Sequence, residues 1–167
     1  TATDAQMFDL WRESYGKLTY EEQVDFYNAV ESRWGVQKHF RVSDVVHVLN
    51  QAKKPMRVLE FGGWKGHLGS RMIDHYGDAI VEWTNIEICD RAIQKTCTKS
   101  EKYHVIKPKR FDWFSMERTY DADVCVSTDF IEHLSNEHFD QLAKYVCGIP
   151  VVYFGSPIGN TGQDWKG

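Results

Sequence analysis

The segment from residue 57 to residue 73, RVLEFGGWKGHLGSRMI, constrains the fold more than any other part of the sequence. A mostly apolar run that contains Glu60 ends at Phe61. Glycines follow directly, and a helical pattern begins soon after them. Gly62 and Gly63 allow positive φ and a close approach of the backbone, and Gly66 lets a helix begin tight against the strand. The segment predicts a strand, a tight loop and a helix, and the loop is either a plain turn or a ligand site.

The totals for the chain are those of an ordinary globular protein. It has 167 residues, 42% hydrophobic and 26% charged, which favours one domain with a substantial core. The sequence has neither an apolar run long enough to span a membrane nor the features of a signal peptide at its start. Four cysteines without a CxxC pair indicate reduced thiols, mostly in the core. These features predict a cytoplasmic protein without a membrane partner.

The charge distribution gives little sign of a nucleic-acid surface. The net charge is −4, which argues mildly against a broad contact with nucleic acid. The basic cluster at residues 99 to 110 is either a solvated face or a contact for an anionic substrate. A local nucleic-acid contact therefore stays open.

The order of periodic segments predicts the fold class. Helical patterns occupy the first 54 residues, and Thr19 and Glu22 form the pattern of a capping box. Strand and helix patterns then alternate, with strands expected at residues 56–61, 79–86, 104–111, 123–127 and 150–155. Pro108 places the third strand at an edge of the sheet. We predict an α/β fold with a doubly wound, mainly parallel sheet, in which residues 1–54 are a helical extension and residues 55–167 are the core of a single globular unit.

A second carboxylate supports a ligand at the glycines. Glu87 ends the second predicted strand, 21 residues beyond Gly66, a separation at which dinucleotide-binding folds place an acid that accepts hydrogen bonds from ribose hydroxyls. Its two oxygens suit the two donors of a vicinal diol, although an exposed charge at a strand end is the alternative. The GxGxxG pattern fails at Trp64, and Glu60 would repel a phosphate and attract an ammonium group. Together these features indicate an adenosine-type ligand.

The segment from Glu60 to Gly66 resembles the first motif of class I S-adenosylmethionine-dependent methyltransferases, with Trp64 in place of the central glycine. Residues 121 to 142 resemble the fourth-strand segment of that family, and the resemblance covers about residues 55 to 156. It implies a Rossmann-like core with S-adenosylmethionine as cofactor and an N-terminal region that covers the cofactor as a lid. The alternative is that this region only packs over the sheet. It also implies further C-terminal strands that are missing before residue 167. The cofactor-binding residues that it implies are Glu60, Phe61, Gly62, Gly63, Gly66, Glu87, Ile88, Asp112, Trp113 and Asp129.

The resemblance implies methyl transfer to an acceptor that we expect to be a small molecule. His133 is the candidate general base, and its alternative role is a hydrogen bond within a loop. Asp129, Glu132 and His133 also resemble the metal ligands of small-RNA terminal ribose 2′-O-methyltransferases, but the further downstream histidine of those enzymes has no counterpart after His138. No metal is therefore expected. The two alternatives are a metal-assisted RNA 2′-O-methyltransferase and a non-catalytic binding or scaffold module.

Overall fold

The structure is a computed structural model, and it describes residues 18–31, 42–110 and 121–156. The helices of these ranges are α1 (Tyr20–Glu31), α2 (Val42–Leu49), α3 (His67–Tyr76), α4 (Asp90–Lys102) and α5 (Asn136–Val146). The strands are β1 (Met56–Phe61), β2 (Ile80–Glu87), β3 (Ile106–Arg110), β4 (Val124–Thr128) and β5 (Val151–Gly155). Short 3-10 turns occupy Gly77–Ala79 and Ile131–His133.

Two helices begin at residues whose side chains cap them. The capping box before α1 is confirmed, because Thr19 N donates to Glu22 Oε2 at 2.8 Å and Glu22 N donates to Thr19 Oγ1 at 3.3 Å. Ser135 caps α5 by accepting a hydrogen bond from His138 N at 3.2 Å. These caps satisfy backbone amides that have no partner inside the helix.

The five strands form one parallel sheet in the order β3-β2-β1-β4-β5. This confirms the predicted α/β class, and each predicted strand lies within about two residues of an observed one. β3 lies at an edge, as Pro108 requires, because proline has no amide to donate to a further strand. Strand order reverses between β1 and β4, so the carboxyl ends of these two strands border the crevice where such sheets bind ligands.

Helices cover both faces of the sheet. One face packs α2 and α3 against the centre of β1, β2 and β4, and the opposite face packs α5 against the same strands. The buried residues of the first face are Val45, Leu49, Met56, Val58, Leu68, Met72, Ile80, Trp83, Ile106, Val124 and Val126. Those of the second are Leu59, Phe61, Ile86, Cys125, Leu142 and Val146. No helix in the described ranges has both the length and the apolar character needed to cross a bilayer.

The cysteines are free thiols, as the sequence predicts for a reduced protein. Cys89 and Cys125 are buried, whereas Cys97 and Cys147 are exposed, so only half of them belong to the core. Burial raises the pKa of Cys89 to about 11, which keeps this thiol protonated at neutral pH.

Candidate functional site

The glycine loop, residues 62–66, begins at the point where strand order reverses. Gly62 continues the backbone pairing of β1, because its amide donates to Ile86 O at 2.9 Å. On the other side of the crevice, Asp129 follows β4 and its amide donates to Gly155 O at 2.8 Å. The structure therefore brings the predicted residues Gly62 and Asp129 to the same end of the sheet.

The backbone of the glycine loop turns through left-handed conformations. Gly62 has φ of 68° and Gly66 has φ of 70°, values that glycine adopts without steric cost. Trp64 also has positive φ, at 47°, which is uncommon for a residue with a side chain. The loop thus keeps a left-handed residue at the position where the resembling motif has a glycine.

The strain at Trp64 gives a first prediction. Trp64→Gly and Trp64→Ala both remove the indole ring, but only glycine adopts this φ freely. We expect Trp64→Gly to be more stable than Trp64→Ala by about 1 kcal/mol in urea unfolding. Equal stability of the two variants, or a more stable alanine variant, would show that the loop is not left-handed at this residue.

The carboxylate of Glu87 joins β2 to the glycine loop. Its Oε2 accepts a hydrogen bond from Trp64 N at 2.9 Å, and its Oε1 accepts from Ile88 N at 2.8 Å and from Cys89 N at 3.0 Å. Burial raises the pKa of this carboxyl, and the three amide donors oppose that rise. Glu87 is therefore not the exposed strand-end charge of the alternative interpretation, since it is 5% exposed and stabilises the loop directly.

Glu60 lies beneath the glycine loop, on the face of the sheet that α3 covers. It is 2% exposed, and its Oε2 accepts a hydrogen bond from Trp83 Nε1 at 2.7 Å. Burial raises the pKa of Glu60 to about 7, the Trp83 hydrogen bond opposes that rise, and the nearby charge of Glu87 adds to it. A direct contact between Glu60 and a ligand ammonium group stays a prediction.

Two of the glycines leave space for side chains of the protein itself. A Cβ added at Gly63 would come within 3.0 Å of Asn85 and Glu60, and one added at Gly69 would come equally close to Trp83. The absence of a Cβ therefore allows a polar group of β1 and two side chains of β2 to pack under the loop and α3. Close approach of the backbone is needed here, as the sequence suggests, but at these two positions the approach is to the protein.

Helix α1 runs across the carboxyl ends of the strands. It packs on Ile88 through Val24 and Tyr27, and the Tyr27 ring lies 6.5 Å from the ring of His133 after β4. Asn28 Oδ1 accepts a hydrogen bond from Arg91 N at 3.2 Å and so caps the start of α4. The predicted residues Ile88 and His133 thus lie beneath one helix of the N-terminal region.

The end of α1 contacts the glycine loop through a buried ion pair. Glu31 Oε1 lies 2.8 Å from Lys65 Nζ and also pairs with Lys95 on α4. Hydrogen bonds from these two lysines hold the pKa of Glu31 at about 2. The contact links the predicted lid segment to the loop that it would cover.

His133 and Glu132 lie in the turn after β4. Their side chains approach to 3.8 Å, between His133 Nε2 and Glu132 Oε1, and Ser156 Oγ donates to Glu132 Oε2 at 3.2 Å. Asp129 at the same turn has φ of 52°. In the described part of the chain, no three histidine, cysteine or acidic side chains converge as a possible metal site.

Three further predicted positions differ in what the structure says of them. Phe61 is fully buried and packs on Phe130 and Tyr145, so its side chain belongs to the core on the α5 face. Asp112 and Trp113 lie outside the described residues. Their predicted contacts with an adenine ring therefore stay predictions.

The sequence did not predict three residues whose side chains bind carbonyl groups of the glycine loop. Asn85 Nδ2 donates to Trp64 O at 3.3 Å, and Thr96 Oγ1 lies 3.1 Å from the same carbonyl. Lys99 Nζ donates to Lys65 O at 2.8 Å. The available signal was Asn85, a polar residue in β2 that is in phase with Trp83 and Glu87 along the strand.

No protein-family profile and no curated protein sequence matches the chain. Solved structures do match its fold. The [4+2]-cyclase SpnF superposes with a TM-score of 0.60 at 14% identity, over 79% of this chain and 56% of SpnF. DhpI, in its SAM-HEP complex, gives 0.55 at 15% identity over 80% of this chain and 64% of DhpI. A SAM-dependent methyltransferase from Thiobacillus denitrificans, in complex with S-adenosyl-L-homocysteine, gives 0.55 at 13% identity over 77% of this chain and 53% of that enzyme.

These comparisons establish the fold. The chain has the Rossmann-like α/β fold of class I S-adenosylmethionine-dependent methyltransferases. It spans 56% and 64% of the length of the first two proteins. One of the matching proteins is a cyclase, so activity has to be argued from the site and not from the fold.

Proposed function

We propose that this protein binds S-adenosylmethionine at the carboxyl end of β1 and β2 and transfers its methyl group to a small-molecule acceptor. The observation that carries the proposal is the Glu87 carboxylate at the end of β2, bound to the glycine loop beside the point where strand order reverses. Matching structures with the same fold are complexes with SAM, with S-adenosyl-L-homocysteine and with sinefungin.

The residues present fit such a ligand. A carboxylate offers about four acceptor positions, and three backbone amides use three of those on Glu87. One position on Oε2 therefore suits a ribose hydroxyl, and Ile88, 7% exposed, provides an apolar surface for an adenine ring. This modifies the expectation that both oxygens would bind the diol.

S-adenosylmethionine supplies a methyl group that is already activated by a positively charged sulfur. The protein then has to align the acceptor atom with the methyl carbon and the sulfur. Such alignment can lower the barrier by on the order of 7 kcal/mol in well-oriented cases. His133, at the mouth of the crevice beside Glu132, would take the proton from a hydroxyl or amine acceptor as that group forms its bond to the methyl carbon. Helix α1 would act as the lid, because it already packs on Ile88 and on the ring of His133.

Titration calorimetry with S-adenosylmethionine and S-adenosylhomocysteine tests the proposal, with Glu87→Gln as the decisive variant. We expect this variant to bind about 30-fold more weakly, roughly 2 kcal/mol, because a charge-assisted acceptor is lost. Glu82→Gln is the matched control, since Glu82 lies on the same strand and pairs with Lys107 on β3. The control should bind within twofold of the unaltered chain.

The outcomes separate the candidate functions. Full affinity in Glu87→Gln would move the site elsewhere. A folded protein that binds neither compound would instead be a scaffold module. The packing of α1 over the strand ends favours this alternative. Methyl transfer to an RNA end that chelator abolishes and Mn²⁺ restores would identify the metal-assisted enzyme.

A further inference from the structure

A buried polar cluster lies beneath the glycine loop. It consists of Glu60 on β1, Trp83 and Asn85 on β2 and Thr96 on α4, and each of them is at most 2% exposed. Buried polar groups are almost always paired, because an unpaired one loses its hydrogen bonds to water. The pairing inside this cluster therefore indicates what the cluster does.

The cluster holds the peptide groups of Trp64. Asn85 Nδ2 donates to Trp64 O at 3.3 Å, Thr96 Oγ1 lies 3.1 Å from that oxygen, and Asn85 Nδ2 lies 3.1 Å from Thr96 Oγ1. The amide of Trp64 is bound by Glu87. Both sides of the left-handed residue are thus fixed, one by the polar cluster and the other by the residue proposed to bind ribose.

One atom of the cluster has no partner. Asn85 Oδ1 is buried and makes no hydrogen bond with any of the described residues. The carboxyl group of Glu60 is beside it, because the two residues pair across β1 and β2 and a Cβ at Gly63 would come within 3.0 Å of both side chains. An ionised Glu60 would place a second acceptor against this oxygen, whereas a protonated Glu60 would supply the missing donor.

We propose that Glu60 is a neutral carboxylic acid that donates its proton to Asn85 Oδ1 while its other oxygen accepts the Trp83 Nε1 hydrogen. Both oxygens of Glu60 are then engaged, so Glu60 does not bind the ligand ammonium group that the sequence predicted. Glu60 and Asn85 are positioning residues: they hold Trp64 O, and through it the loop, in the geometry that binds the cofactor. The effect on cofactor affinity rests on the proposed function. The effect on folding does not.

The surroundings of Glu60 favour the neutral form. Burial raises the pKa of Glu60 to about 7, and the acidic Glu87 raises it further. Trp83 and Asn85 face Glu60 from β2, and the apolar Val126 pairs with it from β4. On α4, Lys99 is bound to Lys65 O and to the His67 ring.

The direction of the pH effect follows from the raised pKa. Because the folded protein holds this proton more tightly than the unfolded chain, the stabilisation is complete below about pH 4.5 and is lost as pH rises through about 7. Glu60→Gln keeps an acceptor for Trp83 and a donor for Asn85 at every pH. It should therefore behave as the protonated wild type does.

The experiment compares wild type, Glu60→Gln and the control Glu82→Gln at pH 6 and pH 8.5. We expect S-adenosylhomocysteine affinity and unfolding stability of wild type and Glu82→Gln to fall with pH, with an affinity loss of up to about tenfold for the loss of one buried hydrogen bond. In S-adenosylhomocysteine affinity, Glu60→Gln should match wild type at pH 6 and exceed it at pH 8.5, and the amount by which its unfolding stability exceeds that of wild type should grow from pH 6 to pH 8.5. In the wild-type infrared spectrum at pH 6, a protonated carboxyl band should be present that Glu60→Gln lacks.

Two results would overturn the proposal: a wild-type profile that is flat from pH 6 to 8.5, or no carboxyl band that Glu60→Gln removes. Either would mean that Glu60 is ionised and that the Asn85 amide is turned over, with Nδ2 toward the carboxylate. If wild type binds neither S-adenosylmethionine nor its product at any pH, the proposed function fails. The unfolding profile and the infrared band still test Glu60 in that case.

Discussion

Gly63→Ala is expected to lower the free energy of unfolding by about 3 kcal/mol, the upper part of the range for overpacked sites. The added methyl would come within 3.0 Å of Asn85 Oδ1 and Glu60 Cδ. Neither side chain can move away cheaply, because Asn85 binds Trp64 O and Glu60 binds Trp83 Nε1 in a fully packed region. Urea unfolding measures the loss.

Two further variants show that the cost of Gly63→Ala comes from this contact. Gly77 has φ of 55° and ψ of −131° but nothing within 4 Å of an added Cβ, so Gly77→Ala should show the cost of backbone strain without a packing clash. In a background that carries Asn85→Ala, the shortest of these contacts is gone and Glu60 gains space to move, so the added cost of the methyl at residue 63 should be smaller. Additive costs in the double variant would contradict the packing under the loop.

The sequence predicted the sheet well because its strands carry local signals. The run at residues 56–61 coincides with β1, and Pro108 correctly assigned β3 to an edge. These features depend on the chemistry of neighbouring residues, which a sequence displays directly.

The glycines show what the sequence does not predict. Their clustering predicted close approach of the backbone, and Gly62 and Gly66 do take positive φ. The sequence did not show which group is approached at Gly63 and Gly69. Asn85 and Trp83 are distant from these glycines in the sequence, and they come close only through the register of β1 with β2. Pairing across strands is a tertiary property that no local pattern encodes.

The two predicted acids illustrate the same limit in the candidate site. Glu60 and Glu87 lie near the carboxyl ends of parallel strands, so the sequence predicted that both lie at the same end of the sheet. Glu60 continues the column of Met56 and Val58 beneath α3, and its partner in β2 is Asn85. Glu87 lies one residue beyond the strand register of Phe61 and reaches the loop. A two-residue difference in position on one face of the sheet therefore separates a group that contacts the loop from one that lies under it.

Glu31→Ala is expected to cost about 2–3 kcal/mol of unfolding free energy and to detach the end of α1 from the glycine loop. The position of Glu31 depends on Lys65 and Lys95, because both lysines pair with its carboxylate. Lys65 is 9% exposed, and loss of its partner leaves a buried charge uncompensated. Lys95 is half exposed and moderates the cost, which therefore falls below the usual 3–5 kcal/mol for a fully buried pair.

Three comparisons isolate the ion pair as the cause. Lys95→Ala should cost less than about 1 kcal/mol, because Glu31 keeps Lys65. Glu31→Ala with Lys65→Met removes both buried charges and should recover most of the loss in urea unfolding. The pKa of Glu31 is lowered to about 2, so its stabilisation is complete above about pH 4.5 and is lost as pH falls toward 2. If Glu31→Ala is as stable as wild type at pH 7, or if the double variant is no more stable than Glu31→Ala, then α1 is held to the core by its apolar contacts alone.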